Sequence, residues 1–252
     1  MRSGNPALGD TFLDVGSGQL SDRSQGVMTM DGTVNKTAIL LALTVMMAGF
    51  TWSMVDGPET VARVMPLTIG GAIAGLVLAL ITVFKKTWAP VTAPLYALAE
   101  GLFIGGISAW FELRFPGIVM QAVGLTFGVF AAMLALYRSR VIKVTEKFKM
   151  GVAAATLGIF AFYLINFVAS FFGWSSSLLD STNGSMMSIG FSLIVVGIAA
   201  LNLVLDFDLV EEGVNGGAPK FMEWYAGFAL LVTLVWLYIE MLRLLAKLQS
   251  RE

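Results

Sequence analysis

The sequence predicts an all-α, polytopic membrane protein: a bundle of seven transmembrane helices, the seventh of them central. Two observations carry this. Of the 252 residues, 57% are hydrophobic and only 13% charged, against roughly a quarter charged in an ordinary soluble domain. Seven apolar segments also approach or exceed the roughly 20 residues that an α-helix needs to cross hydrocarbon. A soluble helical protein with a very large core is the alternative. It would have too little polar surface to face water, a shortage that lipid removes.

The chain begins with a polar stretch rich in Gly, Ser and Asp, residues 1 to 33. It lacks the basic start, apolar middle and small-residue cleavage site of a secretory signal. It reads as a mobile cytoplasmic tail, followed by a transmembrane domain over residues 34 to 252. Asp31 or Thr33 is placed to cap the first span, whose leading amides need acceptors. The spans are read as Thr37 to Val55, Pro66 to Phe84, Val91 to Phe111, Ile118 to Tyr137, Gly151 to Phe172, Met186 to Leu205 and Pro219 to Leu248. Pro66 is taken as a first-turn proline, and the sixth span is expected to run past Asp206. Small residues at helix-packing spacing, such as Gly70 and Gly71, Gly101 and Gly105, and Gly124 and Gly128, predict close helix contacts in lipid.

Basic residues set the expected orientation. Lys85 and Lys86 lie between spans two and three, and Arg138, Arg140, Lys143, Lys147 and Lys149 between four and five. This puts the N-terminus and the basic loops in the cytoplasm, and seven crossings put the C-terminus outside. Arg243, Lys247 and Arg251 near the C-terminus pull the other way. A last segment that turned back would reconcile them.

Function classes narrow by omission. The sequence has no cysteine and no histidine. Thiolate chemistry and the usual nucleophile–base pairs are therefore absent, as are the favoured zinc ligands. No phosphate-binding glycine loop occurs, and no basic patch with interleaved aromatics suggests nucleic acid. The chain is read as neither an enzyme nor a holder of a resident cofactor, and its first partner is the lipid bilayer. Proton sensing, with no histidine, must come from carboxylates.

Acids within spans are the candidate site, because an ionisable group at the bilayer centre costs about 2.5–3.5 kcal/mol on insertion scales. Glu100, in the third span, either lines a cavity or packs as a neutral hydrogen-bonded acid. Asp206 and Asp208 close the sixth span. Two residues apart on a helix, they point about 200° apart, so one faces the bundle interior, and Asp206 is nearer the apolar run. Glu240 lies late in the seventh span, where Arg243 can pair with it on the same helix face.

Four stretches together resemble the Bax inhibitor-1 family of seven-helix membrane proteins, in its bacterial YccA-like branch. They are Met28 to Thr37, Ala99 to Gly105, Leu205 to Gly213 and Leu237 to Leu245. The resemblance implies the bacterial cytoplasmic (inner) membrane and a pH-sensitive calcium leak. In that family an acid late in helix six and one in helix seven form a proton-sensitive latch. Those positions match Asp206 and Glu240, which the resemblance also makes candidate Ca²⁺ ligands, with Glu100, Asp208 and Arg243 as latch or cavity partners. Two close carboxylates in a dry site cannot both ionise cheaply, so they share a proton. Once both are negative they repel, and they attract a hard cation such as Ca²⁺. The sequence departs from the better-studied members in having Glu at 240 rather than Asp, a longer glycine-containing link between the acids, and no arginine inside the second span. The alternative function is a non-conducting scaffold or regulator that binds membrane proteases or other membrane proteins. An intramembrane hydrolase would need facing acids beside a water path, and no protease signature is present.

Overall fold

The computed structural model describes residues 26–174 and 176–251, and among these it forms seven helices long and apolar enough to cross a membrane. They are α1 (Met30–Ser53), α2 (Pro58–Phe84), α3 (Ala89–Arg114), α4 (Ile118–Arg138), α5 (Glu146–Ser170), α6 (Met186–Asn215) and α7 (Met222–Gln249). Short 3-10 turns at Lys86–Trp88 and Ser177–Leu179 precede α3 and α6. Of the stretch 1–33 read as a mobile tail, residues 1–25 lie outside the described residues, while Met30 to Thr33 already belong to α1, so the membrane domain starts ahead of the expected boundary at 34.

Local chemistry fixes where these helices start. Thr29, Thr145 and Ser185 each have extended backbone and accept a backbone N–H of the following turn, which caps α1, α5 and α6. The cap of α1 is thus Thr29 rather than Asp31 or Thr33. Thr33 lies one turn inside the helix, and its hydroxyl donates to the Thr29 carbonyl. The first-turn proline of α2 is Pro58, not Pro66, which sits inside the helix. The early turns carry Glu59 and Arg63, which hid them from a hydropathy reading. Their side chains stand exposed at the end of the bundle.

The seventh helix is the central post. Leu231, Leu237, Leu242 and Ala246 on α7 are fully buried, and α1, α3, α4 and α6 all pack on it. α2 packs chiefly on α3, and α5 chiefly on α6. α7 runs unbroken for 28 residues, or about 42 Å at 1.5 Å per residue. It crosses once and does not turn back.

Helix association in lipid has no hydrophobic drive and rests on close packing and interhelical hydrogen bonds. The α1–α3 contact shows both. A Cβ on Gly101 would lie 2.5 Å from the Thr44 carbonyl oxygen and 2.7 Å from Met47 Cβ. The Thr44 hydroxyl stands 3.2 Å from the Ala97 carbonyl oxygen of α3, to which it donates. Gly71 makes the equivalent approach of α2 to Ala99 of α3. Not every small residue serves this way. Gly70, Gly124 and Gly128 have open space where a Cβ would go, so among the described residues the α4 pair marks no close helix approach.

Two ends of the bundle can be told apart. Met28 N–H donates to the Ala218 carbonyl at 2.7 Å, so the entry to α1 and the α6–α7 loop share one end. The basic loops after α2 and α4 lie at that same end, by the alternation of the helices. The last residues of α7 lie at the other.

Candidate functional site

The interior acids fall at three levels along the bundle. At the basic-loop end, the last turns of α6 are tied to α4 and α5. Lys149 pairs with Asp208 at 2.8 Å and Glu212 at 2.6 Å, and Arg140 pairs with Glu211. The Tyr137 hydroxyl donates to Glu211 at 2.5 Å. Arg140 lies in the loop, and its hydrogen bond to Glu211 raises its pKa further above the ordinary arginine range. Asp208 therefore belongs to a surface ion-pair network.

Asp206, half a turn away, points towards α7, as the helical spacing requires. Its Oδ2 is buried and has no hydrogen-bond partner among the described residues, and Thr233 of α7 is the side chain that meets the carboxylate. A buried carboxylate oxygen without a donor is costly. It is the kind of group that binds a proton or a cation.

Glu100 is buried in the α2–α3 interface. Its Oε2 would stand 2.8 Å from a Cβ on Gly75 of α2, and Tyr96 is its neighbour one turn back. The glycine makes room for the carboxyl. The neighbours of Glu100 there are Gly75 and Tyr96, not the acids of α6 and α7.

Glu240 is 1% exposed and is held through its Oε1. Tyr163 of α5 donates to its Oε1 at 2.9 Å, and Arg243 Nη1 does so at 2.9 Å. The Arg243 guanidinium also lies over the Tyr163 ring, 5.2 Å from its centroid. Thr233 and Glu240 are seven residues apart on one straight helix, about 10 Å along its axis. The structure does not join Asp206 to Glu240. Asp206 faces Thr233, while Glu240 meets Tyr163 and Arg243 two turns further along α7.

Two buried charges were not legible beforehand. Glu223, at the start of α7, is fully buried. It accepts from Thr29 N–H at 3.0 Å and Thr29 Oγ1 at 2.9 Å, and pairs with Lys220 at 2.8 Å. It fastens the entry of α1 to the α6–α7 loop. Its partner is 194 residues away, so no local pattern signals it. Lys247 is 1% exposed. Its ammonium donates to the Leu178 carbonyl at 2.7 Å, the Ser192 hydroxyl at 2.8 Å and the Ser188 carbonyl at 3.3 Å. Two of these acceptors are backbone atoms of the α5–α6 loop and the first turn of α6, which sequence spacing cannot show. Lys247 and Arg243 are therefore interior groups and not tail charges. Arg251 alone remains beyond α7 as a base among the described residues.

Among the described residues, no group of three or more acidic side chains is placed to hold a metal ion. Ca²⁺ takes six to eight oxygens. Asp206 offers one buried oxygen without a partner among the described residues, beside a threonine, too few ligands for a Ca²⁺ cage.

Seven span-length helices with ionisable side chains buried inside the bundle define a multi-pass helical membrane protein. Its sequence matches the family model described as Bax inhibitor 1 like over residues 5–250, so the chain belongs to that family. Neither a curated protein nor a solved structure matches it.

Proposed function

We propose that this protein is a pH-sensitive cation leak pathway, with Ca²⁺ as the transported ion, and that it carries out no covalent chemistry. The reading is supported first by Asp206, whose buried, unpartnered Oδ2 faces the central helix. Membrane-embedded acids of this kind mark proton and ion paths. The proposal differs in one respect from a latch with a shared proton. Asp206 and Glu240 act as separate groups, Asp206 carrying the exchangeable proton or ion and Glu240 holding α7 to α5 through Tyr163 and to its own Arg243. The basic loops face the cytoplasm by the positive-inside rule. In a bacterial inner membrane this puts the N-terminus inside and the end of α7 outside.

A second reading is a non-conducting scaffold for other membrane proteins. It draws on α5, which packs chiefly on α6 and leaves Leu157, Phe160, Leu164 and Phe167 exposed along its length. Purified protein in liposomes loaded with a calcium indicator separates the two. The leak reading expects Ca²⁺ entry above that of empty liposomes, at a rate that changes between pH 5 and 8. No entry above the empty control at any pH in that range overturns it and leaves the scaffold.

A further inference from the structure

At the end of the bundle opposite the basic loops lies a cavity of about 350 Å³, within the range of small-molecule sites. Its walls are mostly apolar: Val61 and Met65 of α2, Ile107 and Trp110 of α3, and Leu179 of the α5–α6 loop. Arg243 is the one charged residue in the lining, and Thr68 and Ser181 add hydroxyls.

The guanidinium is only partly used. Nη1 donates to Glu240 and the group also meets Tyr163, contacts that use about two of the five N–H donors of a guanidinium. Tyr163 holds one face of the group, so the fork is oriented and its side chain remains about a third open, at 34%. Three occupants fit poorly. A metal cation meets a fixed positive charge. A purely apolar molecule leaves the fork dry and unbonded, which costs free energy. Water alone wets walls that gain nothing from it. A planar or tetrahedral anion with an apolar body satisfies both parts, since a guanidinium binds such oxygens through two parallel N–H bonds.

We infer that this cavity is a binding site for an amphiphilic anion, a carboxylate or phosphate head on Arg243 with an apolar body against Trp110, Ile107 and Met65. The site is independent of whether the protein conducts ions. Glu240 competes with the ligand for the same guanidinium, so removing the Glu240 charge strengthens binding. A soluble organic acid and an anionic lipid share this chemistry.

The test uses full-length protein in phosphatidylcholine nanodiscs, with bromo-octanoate quenching Trp110 fluorescence as the probe. Arg243→Gln alone would strand Glu240, so the key variant is Glu240→Gln/Arg243→Gln. Wild type should quench saturably. Glu240→Gln should bind as tightly or tighter, and the double variant at least tenfold more weakly. Val61→Phe, which fills the cavity and keeps the guanidinium, should lose binding too. Competition by added phosphatidylglycerol assigns the natural ligand to lipid, and saturable binding without competition assigns it to a soluble acid. Equal affinity in the double variant, or equal saturable quenching by bromo-octanol, overturns the site.

Discussion

Gly101→Ala should destabilise the bundle by at least about 3 kcal/mol, the upper end of overpacking costs, although the same change in an exposed helix gains about 1 kcal/mol in helix propensity. The sign is decided by what the new methyl meets. It would lie 2.5 Å from the Thr44 carbonyl oxygen and 2.7 Å from Met47 Cβ. Both belong to the body of α1, and neither is the free end of a flexible side chain. Helix α1 must therefore retreat from α3, which also breaks the bond from the Thr44 hydroxyl to the Ala97 carbonyl. In lipid there is no hydrophobic force to restore the contact. Gly124→Ala is the matched control. A Cβ there meets nothing within 4 Å, so this variant should be neutral or slightly more stable. Thermal unfolding of the two purified variants in detergent checks the pair, and equal loss in both would contradict the packing account.

The second large effect concerns Glu240 and Arg243. Arg243→Gln alone leaves a carboxylate that is 1% exposed with only the Tyr163 hydroxyl as a partner. Stranding one member of a buried pair costs about 3–5 kcal/mol. The lower end applies here, because the arginine side chain is 34% exposed and its charge is partly screened. The double variant Glu240→Gln/Arg243→Gln removes both charges and keeps two amides near Tyr163. It should recover most of the loss and unfold within about 1–2 kcal/mol of wild type. A double variant as damaged as Arg243→Gln would mean that the pair is not the source of the cost.

How much of this was readable in the sequence depends on the reach of each interaction. The spans were legible because lipid demands long apolar runs, and the opposed directions of Asp206 and Asp208 follow from helical geometry alone. The pairing of Glu240 with Arg243 was legible for the same reason, being an i,i+3 contact. Helix starts were less legible. The early turns of α2 and α5 carry Glu59 and Arg63, and Glu146, Lys147 and Lys149, charges that read as loop but stand at the bundle ends. Contacts made across the bundle were not legible at all. Lys247 looks like a tail charge until the α5–α6 loop folds its carbonyls over it. Glu223 looks like a surface acid until Thr29 arrives from the far end of the chain. The resemblance to a family with paired acids joined Asp206 to Glu240. The unbroken course of α7 sets them two turns apart.

The central claim is that Asp206, not an Asp206–Glu240 pair, carries the pH response. Calcium entry into liposomes from pH 5 to 8 tests it, with Asp206→Asn and Glu240→Gln beside wild type. The account predicts that Asp206→Asn flattens the pH profile, while Glu240→Gln changes the rate less than about threefold and keeps its pH dependence. A wild-type profile in Asp206→Asn, or one abolished equally by either change, would contradict it.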